Sequence, residues 1–317
     1  MTRPAAPGPA VTRAAAPGPG EVRPAAPGPV GARPGEEGPG GAPATVPHPA
    51  ATAREVRTDH VLLSSAQRTS TTALLTQAAA RRGLDTAVLD GPTTVERLAG
   101  RPVHWYGGPL SAARIAGPLG LALLEPDDDW LTRLPEEFTR RRIELTTLAE
   151  AWTLRRPAFV KPPADKSLPP AVYPDGTRLP RTGDRIGPDT PVLVSEPVTF
   201  AAEYRLFVRD GEVLTGSRYA RFGRLDPAPL TAEAGAFARR LLAAVGDTLP
   251  SAVALDVGPI ADPYDPAEHW AVVEANLPWF AHCYAADPDR VLDVVLRAAG
   301  PVSQLAQADR RFVRTAA

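Results

Sequence analysis

The sequence predicts two folded layers behind a disordered tail: a small parallel α/β unit, then a larger α+β region. Three observations carry this prediction. Residues 1–56 repeat with a period of ten, strand–helix–strand spacing begins near His60, and hairpin signals take over beyond residue 190.

The repeat is marked by Arg3, Arg13, Arg23 and Arg33, with Gly-Pro at Gly8-Pro9, Gly18-Pro19, Gly28-Pro29 and Gly38-Pro39. Its apolar content is mostly alanine and proline, which bury too little surface to offset the entropy of ordering the chain. Residues 1–56 therefore read as a disordered or partly polyproline-like tail, either inert or used for docking. A solenoid is excluded, because each of its repeats needs a hydrophobic face.

In residues 57–135, His60 to Ser65 reads as a short buried strand. Thr69 to Arg82 carries helical spacing through Leu74, Leu75 and Ala78 and stops at Gly83, a residue suited to ending a helix. Thr86 to Leu89 returns as a second strand, and a β-α-β unit of this length implies parallel pairing. Val103–Tyr106 and Gly120–Leu124 are expected to extend the sheet, with Ser111–Ala116 as a helix between them. The layer is Rossmann-like but lacks the G-x-G-x-x-G turn, so no dinucleotide is assigned to it.

Residues 136–300 follow an α+β pattern. Arg142–Leu148 and Ala158–Lys161 read as strands, separated by a short segment around Ala149–Trp152. Residues 162–190, rich in proline, glycine and charge, read as a long loop or loose hairpin of the kind that carries function. Pro191–Ser195, Glu203–Val208 and Val213–Tyr219 are strands, the last two joined by a turn whose Asp210-Gly211 pair is a strong hairpin signal. An amphipathic helix over Thr231–Val245, strands over Ala252–Val257 and His269–Ala275, and a closing helix over Asp287–Ala299 complete the region. Residues 301–317 read as a C-terminal tail.

Bulk properties narrow the function. A formal net charge of -1 argues against a nucleic-acid binder that works by neutralising phosphates. With Cys283 as the one cysteine, neither an intramolecular disulfide nor a thiolate metal site can form. No apolar run approaches the ~20 residues that cross a bilayer, and no apolar segment follows Arg3 as in a secretion signal, so a cytoplasmic location is expected. Of the 35 basic residues, Lys161 and Lys166 are lysines and the other 33 are arginines. Against such a GC-rich coding bias, a surviving lysine points to a need for its compact ammonium.

The last two strands hold the most informative residues. Glu274 and Asn276 project to one face because side chains alternate along a strand, and Asp256 joins them if the two strands pair antiparallel. Two carboxylates and an amide oxygen on one face suit Mg²⁺, a hard cation. Carboxylates flanked by such apolar strands are expected to be buried, and burial demands a metal or a cationic partner.

Asp256 followed by Glu274-Ala275-Asn276 resembles the metal-binding end of ATP-grasp enzymes, whose strands finish with an acid and then an E-x-N triplet. Phe159-Val160-Lys161-Pro162 is similar to the family's strand lysine, which contacts nucleotide phosphate. Val192 to Val198 resembles the hinge strand, whose backbone reads adenine and whose acid meets the ribose. On that likeness Ser195, Glu196 and Val198 are nucleotide-binding candidates. Glu203-Tyr204-Arg205 looks like the E-x-R strand, with Glu203 beside the nucleotide and Arg205 facing the phosphates or the substrate. The order of lysine, hinge, arginine hairpin, acid and E-x-N resembles a compact clade named for two arginines and a lysine, over roughly residues 57–300.

The resemblance implies an ATP-grasp fold, two α+β subdomains gripping ATP, preceded by a small pre-ATP-grasp layer. It implies ATP and Mg²⁺ as cofactors, with Asp256, Glu274 and Asn276 on the metal and Lys161 on the phosphates. The implied reaction is ligation of a small-molecule or peptide carboxylate to an amine through an acyl phosphate. Arg205 would stabilise the transferring phosphoryl group, and Arg218 or Arg221 would orient the acceptor's carboxylate. Where many members carry a glycine-rich loop, this chain has Pro162-Pro163-Ala164-Asp165-Lys166-Ser167-Leu168-Pro169-Pro170. Proline offers no backbone N–H to phosphate, so Lys166 is the candidate substitute. A phosphotransferase and a non-catalytic nucleotide-binding module are the alternatives; no nucleic-acid or membrane partner is expected.

Overall fold

The computed structural model describes residues 59–163, 168–181, 186–262 and 264–314, with the backbone alone for 266 and 267. The expected N-terminal tail and Lys166 lie outside the described residues. The first layer begins with β1 (Val61–Ser65), whose apolar side chains are buried, and α1 (Ser70–Arg81). Thr69 caps α1 by accepting from the Thr72 N–H at 3.0 Å, and its Leu75, Ala78 and Ala79 are buried. β2 (Asp85–Leu89), α2 (Pro92–Leu98) and β3 (Val103–Tyr106) follow. The sheet runs β2-β1-β3 and is parallel, as the spacing predicts.

After α3 (Pro109–Leu119) comes β4 (Leu121–Leu123), which does not extend that sheet. Its partner is the last strand of the chain, described below. The chain then crosses through α4 (Glu136–Thr139) to β5 (Ile143–Thr147), α5 (Leu148–Ala151) and β6 (Ala158–Lys161). β7 (Ala171–Tyr173) and β8 (Pro191–Ser195) complete a four-stranded sheet of order β5-β8-β6-β7. Leu148, Ala151, Val160, Val192 and Val194 form its core. Among its described residues, the 162–190 stretch thus contains one strand, β7, paired with β6.

β9 (Ala202–Arg209) and β10 (Glu212–Arg221) form the predicted hairpin. Both turn residues are left-handed, Asp210 at φ 50° and Gly211 at φ 78°, the geometry that lets a two-residue turn follow strand twist. β11 (Arg224–Pro229), unforeseen in the sequence, α6 (Ala232–Val245), β12 (Ala252–Asp262) and β13 (Asp265–Asn276) follow. The resulting sheet is antiparallel, ordered β11-β10-β9-β12-β13. Phe237 and Leu241 of α6 pack with Tyr204, Leu206, Val253 and Leu255 on one face.

α7 (Pro288–Ala298) and β14 (Ala299–Pro301) return to the first layer. Val291, Leu292, Val294 and Val295 join Val61, Leu63, Leu75 and Trp105 in one core, and β14 pairs antiparallel with β4. The apolar stripe of α7, expected within the 136–300 domain, thus packs on the first layer. The segment from 301, expected as a tail, packs as well. Val313 bridges Leu124, Phe312 is buried, and the Asp309 carboxylate accepts from the Ser251 N–H at 2.8 Å and hydroxyl at 2.6 Å. No helix among the described residues is long and apolar enough to cross a membrane.

Because Phe312 fills the first core, Phe312→Ala is expected to lower unfolding stability by about 3–5 kcal/mol in urea titrations. A loose tail would leave the midpoint unchanged.

Candidate active site

Four strands place one residue each at the same level of the large sheet. Ser217 of β10 lies opposite Arg205 of β9, Arg205 opposite Asp256 of β12, and Asp256 opposite Glu274 of β13. Residues directly opposite in a ladder share a face, and Glu203 and Asn276, two positions along their strands, share it too. The antiparallel pairing that brings Asp256 to Glu274 is thus present.

Arg205 grips Asp256 with both arms of its guanidinium, Nε donating to Oδ1 at 2.8 Å and Nη2 to Oδ2 at 2.7 Å. Asp256 is fully buried and Arg205 nearly so. Asn276 Nδ2 donates to Asp256 at 3.2 Å and to Glu274 at 2.9 Å. The Tyr219 hydroxyl lies 2.8 Å from Glu203 and 3.3 Å from Asp256. Tyr219, two positions beyond Ser217, shares this face and sits at a β-bulge between Arg218 and Ala220.

Lys161 comes from the other sheet. Its Nζ meets Glu274 Oε2 at 2.5 Å, so the two sheets are joined by an ion pair at the site. Buried Asp256 and part-buried Glu274 therefore each have the cationic partner that burial demands. Burial alone would raise the Glu274 carboxyl, but the Lys161 ammonium and hydrogen bonds from Lys161 and Asn276 outweigh it and hold the group at about 2. Burial likewise disfavours the Arg205 cation, and Asp256 more than reverses this, holding it well above the ordinary range. Glu203 is raised, chiefly by burial and further by Asp256 and Glu274, against the Tyr219 hydrogen bond.

The bulge in β13 before Glu274 is also braced. Arg141, buried without a carboxylate, donates to the Val272 carbonyl at 2.9 Å and the Val273 carbonyl at 3.4 Å. Burial pulls its own pKa down to about 10.

Not every sequence candidate joins the cluster. Arg218 lies opposite Tyr204 and Arg221 opposite Ala202, on the face away from Arg205: Arg218 by plain alternation from Ser217, Arg221 because the bulge shifts the alternation. Arg218 pairs with Asp226 at 2.8 Å and Arg221 is exposed. The two arginines expected beside an acceptor thus lie on the other face of the sheet from Arg205. Ser195, Glu196 and Val198 lie at and beyond the end of β8, beside the Lys161 strand. Ser195 Oγ donates to the Glu196 carbonyl at 3.2 Å, and Glu196 accepts from the Arg142 N–H at 3.2 Å.

Lys161, Leu193, Glu274 and Asn276 line a cleft of about 50 Å³ together with Glu125, Asp127, Asp128 and Trp130. The sequence reading missed these three acids, whose signal was the acidic run ending the first layer. It also passed over Tyr219, although a buried Asp256 requires hydrogen-bond donors.

Chemically, the arrangement alternates carboxylates with an ammonium and a guanidinium in a partly dry cleft. No group of three His, Cys, Asp or Glu among the described residues forms a metal cage alone. The oxygen donors are nonetheless of the hard type Mg²⁺ takes, and the two cations beside them match phosphate oxygens, so the residues fit a magnesium–polyphosphate ligand.

A lysine from one antiparallel sheet thus meets a row of acids on another. Residues 138–294 match a family model described as an ATP-grasp domain, family 2 of the clade named for two arginines and a lysine, and this segment of the chain is such a domain. A search of curated proteins finds no match. Among solved structures, an ATP-grasp RimK domain protein from Sphaerobacter thermophilus is 16% identical, with 75% of this chain and 99% of that one covered and a TM-score of 0.45. D-alanine–D-alanine ligase from Bacillus anthracis is 12% identical, covering 75% and 96%, with a TM-score of 0.43. The ATP-grasp ligase PsnB, complexed with a precursor peptide and AMPPNP, is 14% identical, covering 78% and 99%, with a TM-score of 0.41.

Asp256→Ala strands the buried Arg205 cation and is expected to cost about 3–5 kcal/mol in chemical denaturation; an unchanged midpoint would show the pair to be solvated. Glu274 has a folded value depressed from 4.5 to about 2. Its stabilisation is therefore complete above the unfolded value and disappears as pH falls toward the folded one. Urea unfolding of the wild type should weaken over that acid range more steeply than that of Glu274→Gln.

Proposed function

We propose that this chain is a Mg-ATP-dependent carboxylate–amine ligase working through an acyl phosphate, with a small-molecule or peptide acid as one substrate. The observation that carries the reading is the meeting of Lys161 with Glu274 across two sheets, beside the Arg205–Asp256 pair, inside an ATP-grasp domain. Bound ATP supplies the phosphoryl group that makes a carboxylate oxygen a leaving group, and Mg²⁺ supplies charge neutralisation along the phosphates.

The residues that would hold Mg²⁺ are Glu274 and Asn276 with Asp256. Lys161 exchanges its carboxylate partner for phosphate oxygen, as a compact point charge can. Arg205 has Nε and Nη2 committed to Asp256, so it presents a fixed cation to developing charge and needs no reorganisation during reaction. Ser195, Glu196 and Val198 receive the base and ribose, with Glu203 nearby. Residues 57–135, together with the 288–313 segment that completes them, take the place of a pre-ATP-grasp domain.

Lys161→Arg keeps the charge but not the compact ammonium, and is expected to weaken ATP binding in calorimetry by about tenfold; equal affinity would remove Lys161 from the phosphate site. ADP release assayed over panels of acids and amines, with mass spectrometry of products, tests the reaction. An amide product with ADP supports ligation, a stable phosphorylated product means phosphotransfer, and tight ATP binding without turnover means a binding module.

A further inference from the structure

Tyr284 has a left-handed backbone, at φ 48°, in the turn closed by the Ala286 N–H and the Cys283 carbonyl at 2.9 Å. A bulky side chain resists this conformation, so the surroundings must impose it. They do so from both sides of the molecule. Thr71 of α1 accepts from the Cys283 N–H at 3.1 Å, and the Tyr106 hydroxyl of β3 donates to the Ala281 carbonyl at 3.1 Å. From the large sheet, Ser217 accepts from the Ala285 N–H at 3.3 Å.

The result places the Tyr284 ring against Tyr219, centroids 5.0 Å apart and planes 14° from parallel. The Arg205 guanidinium carbon lies 5.4 Å from the Tyr219 centroid and 5.5 Å from that of Tyr284, within cation–π reach of both. With Nε and Nη2 on Asp256, Nη1 hydrogen-bonds to no described residue.

We propose that Tyr284 is a positioning residue for Arg205: its strained turn builds an aromatic wall that fixes the guanidinium and leaves Nη1 for an anionic oxygen of the bound reactants. The catalytic consequence rests on the ATP-dependent reading above; the placement of Arg205 does not. Tyr284→Gly removes the ring while relieving the left-handed strain, which offsets part of the lost packing, so the variant is expected to fold, with a Tm somewhat below that of the wild type. In that variant kcat for ADP formation should fall by about tenfold or more, while the Kd for ATP moves by less than about threefold. Tyr284→Phe, which keeps the ring, should restore kcat to within about twofold of the wild type. Phenylglyoxal labelling with peptide mapping, which needs no turnover, should modify Arg205 faster in Tyr284→Gly than in the wild type or Tyr284→Phe. Unchanged kcat and labelling in the glycine variant would overturn the proposal, as would a phenylalanine variant that loses as much. A wild type without ATP turnover would sink the ligase reading, and the labelling would still decide whether Tyr284 places Arg205.

Discussion

Arg205 and Asp256 form an ion pair in which the carboxylate is wholly withdrawn from water. Desolvating two charges is expensive, and the pair survives because its geometry is bidentate and Oδ2 also lies within hydrogen-bond reach of Tyr219 and Asn276. These donors come from β10 and β13, so satisfying one carboxylate fixes the register of four strands. The bulge that Arg141 braces before Glu274 serves this row. A one-residue slip would move the charged set into the apolar face packed on α6.

The second sheet is tied to the first through Lys161 and Glu274, a contact of different character. Glu274 keeps partial access to the cleft and its partner is a flexible amine, so this pair is the more open of the two. One buried, rigid pair and one more open pair give the site a fixed part and an accessible part. Such a division suits a cleft between two sheets that must admit a ligand and then hold it.

Much of this was legible in the sequence, for particular reasons. Asp256, Glu274 and Asn276 stood out because strand alternation puts carboxylates where apolar neighbours forbid solvent. Lys161 stood out because arginine replaces lysine almost everywhere else. Arg218 and Arg221 turn to the other face, Arg218 by plain alternation from Ser217 and Arg221 because a bulge, invisible in an alternating pattern, inverts the side chains after it. Residues 301–314 looked like a tail because short bridges and 3₁₀ turns leave no period to read, although Phe312 and Asp309 are buried. Tyr284 carried no signal at all, since its role depends on a turn built by Thr71 and Ser217 from distant parts of the chain.

The return of α7, β14 and Val313 to the first layer has a consequence for biosynthesis. The strands around Val61 leave the ribosome some 230 residues before α7, which covers their apolar face. At roughly 5–20 residues per second, that interval is on the order of ten seconds or longer. During translation the first layer therefore waits half-clothed for its last helix. Its exposed strands are a natural client for holding chaperones, and a message cut short before residue 288 yields a chain that cannot close its own beginning.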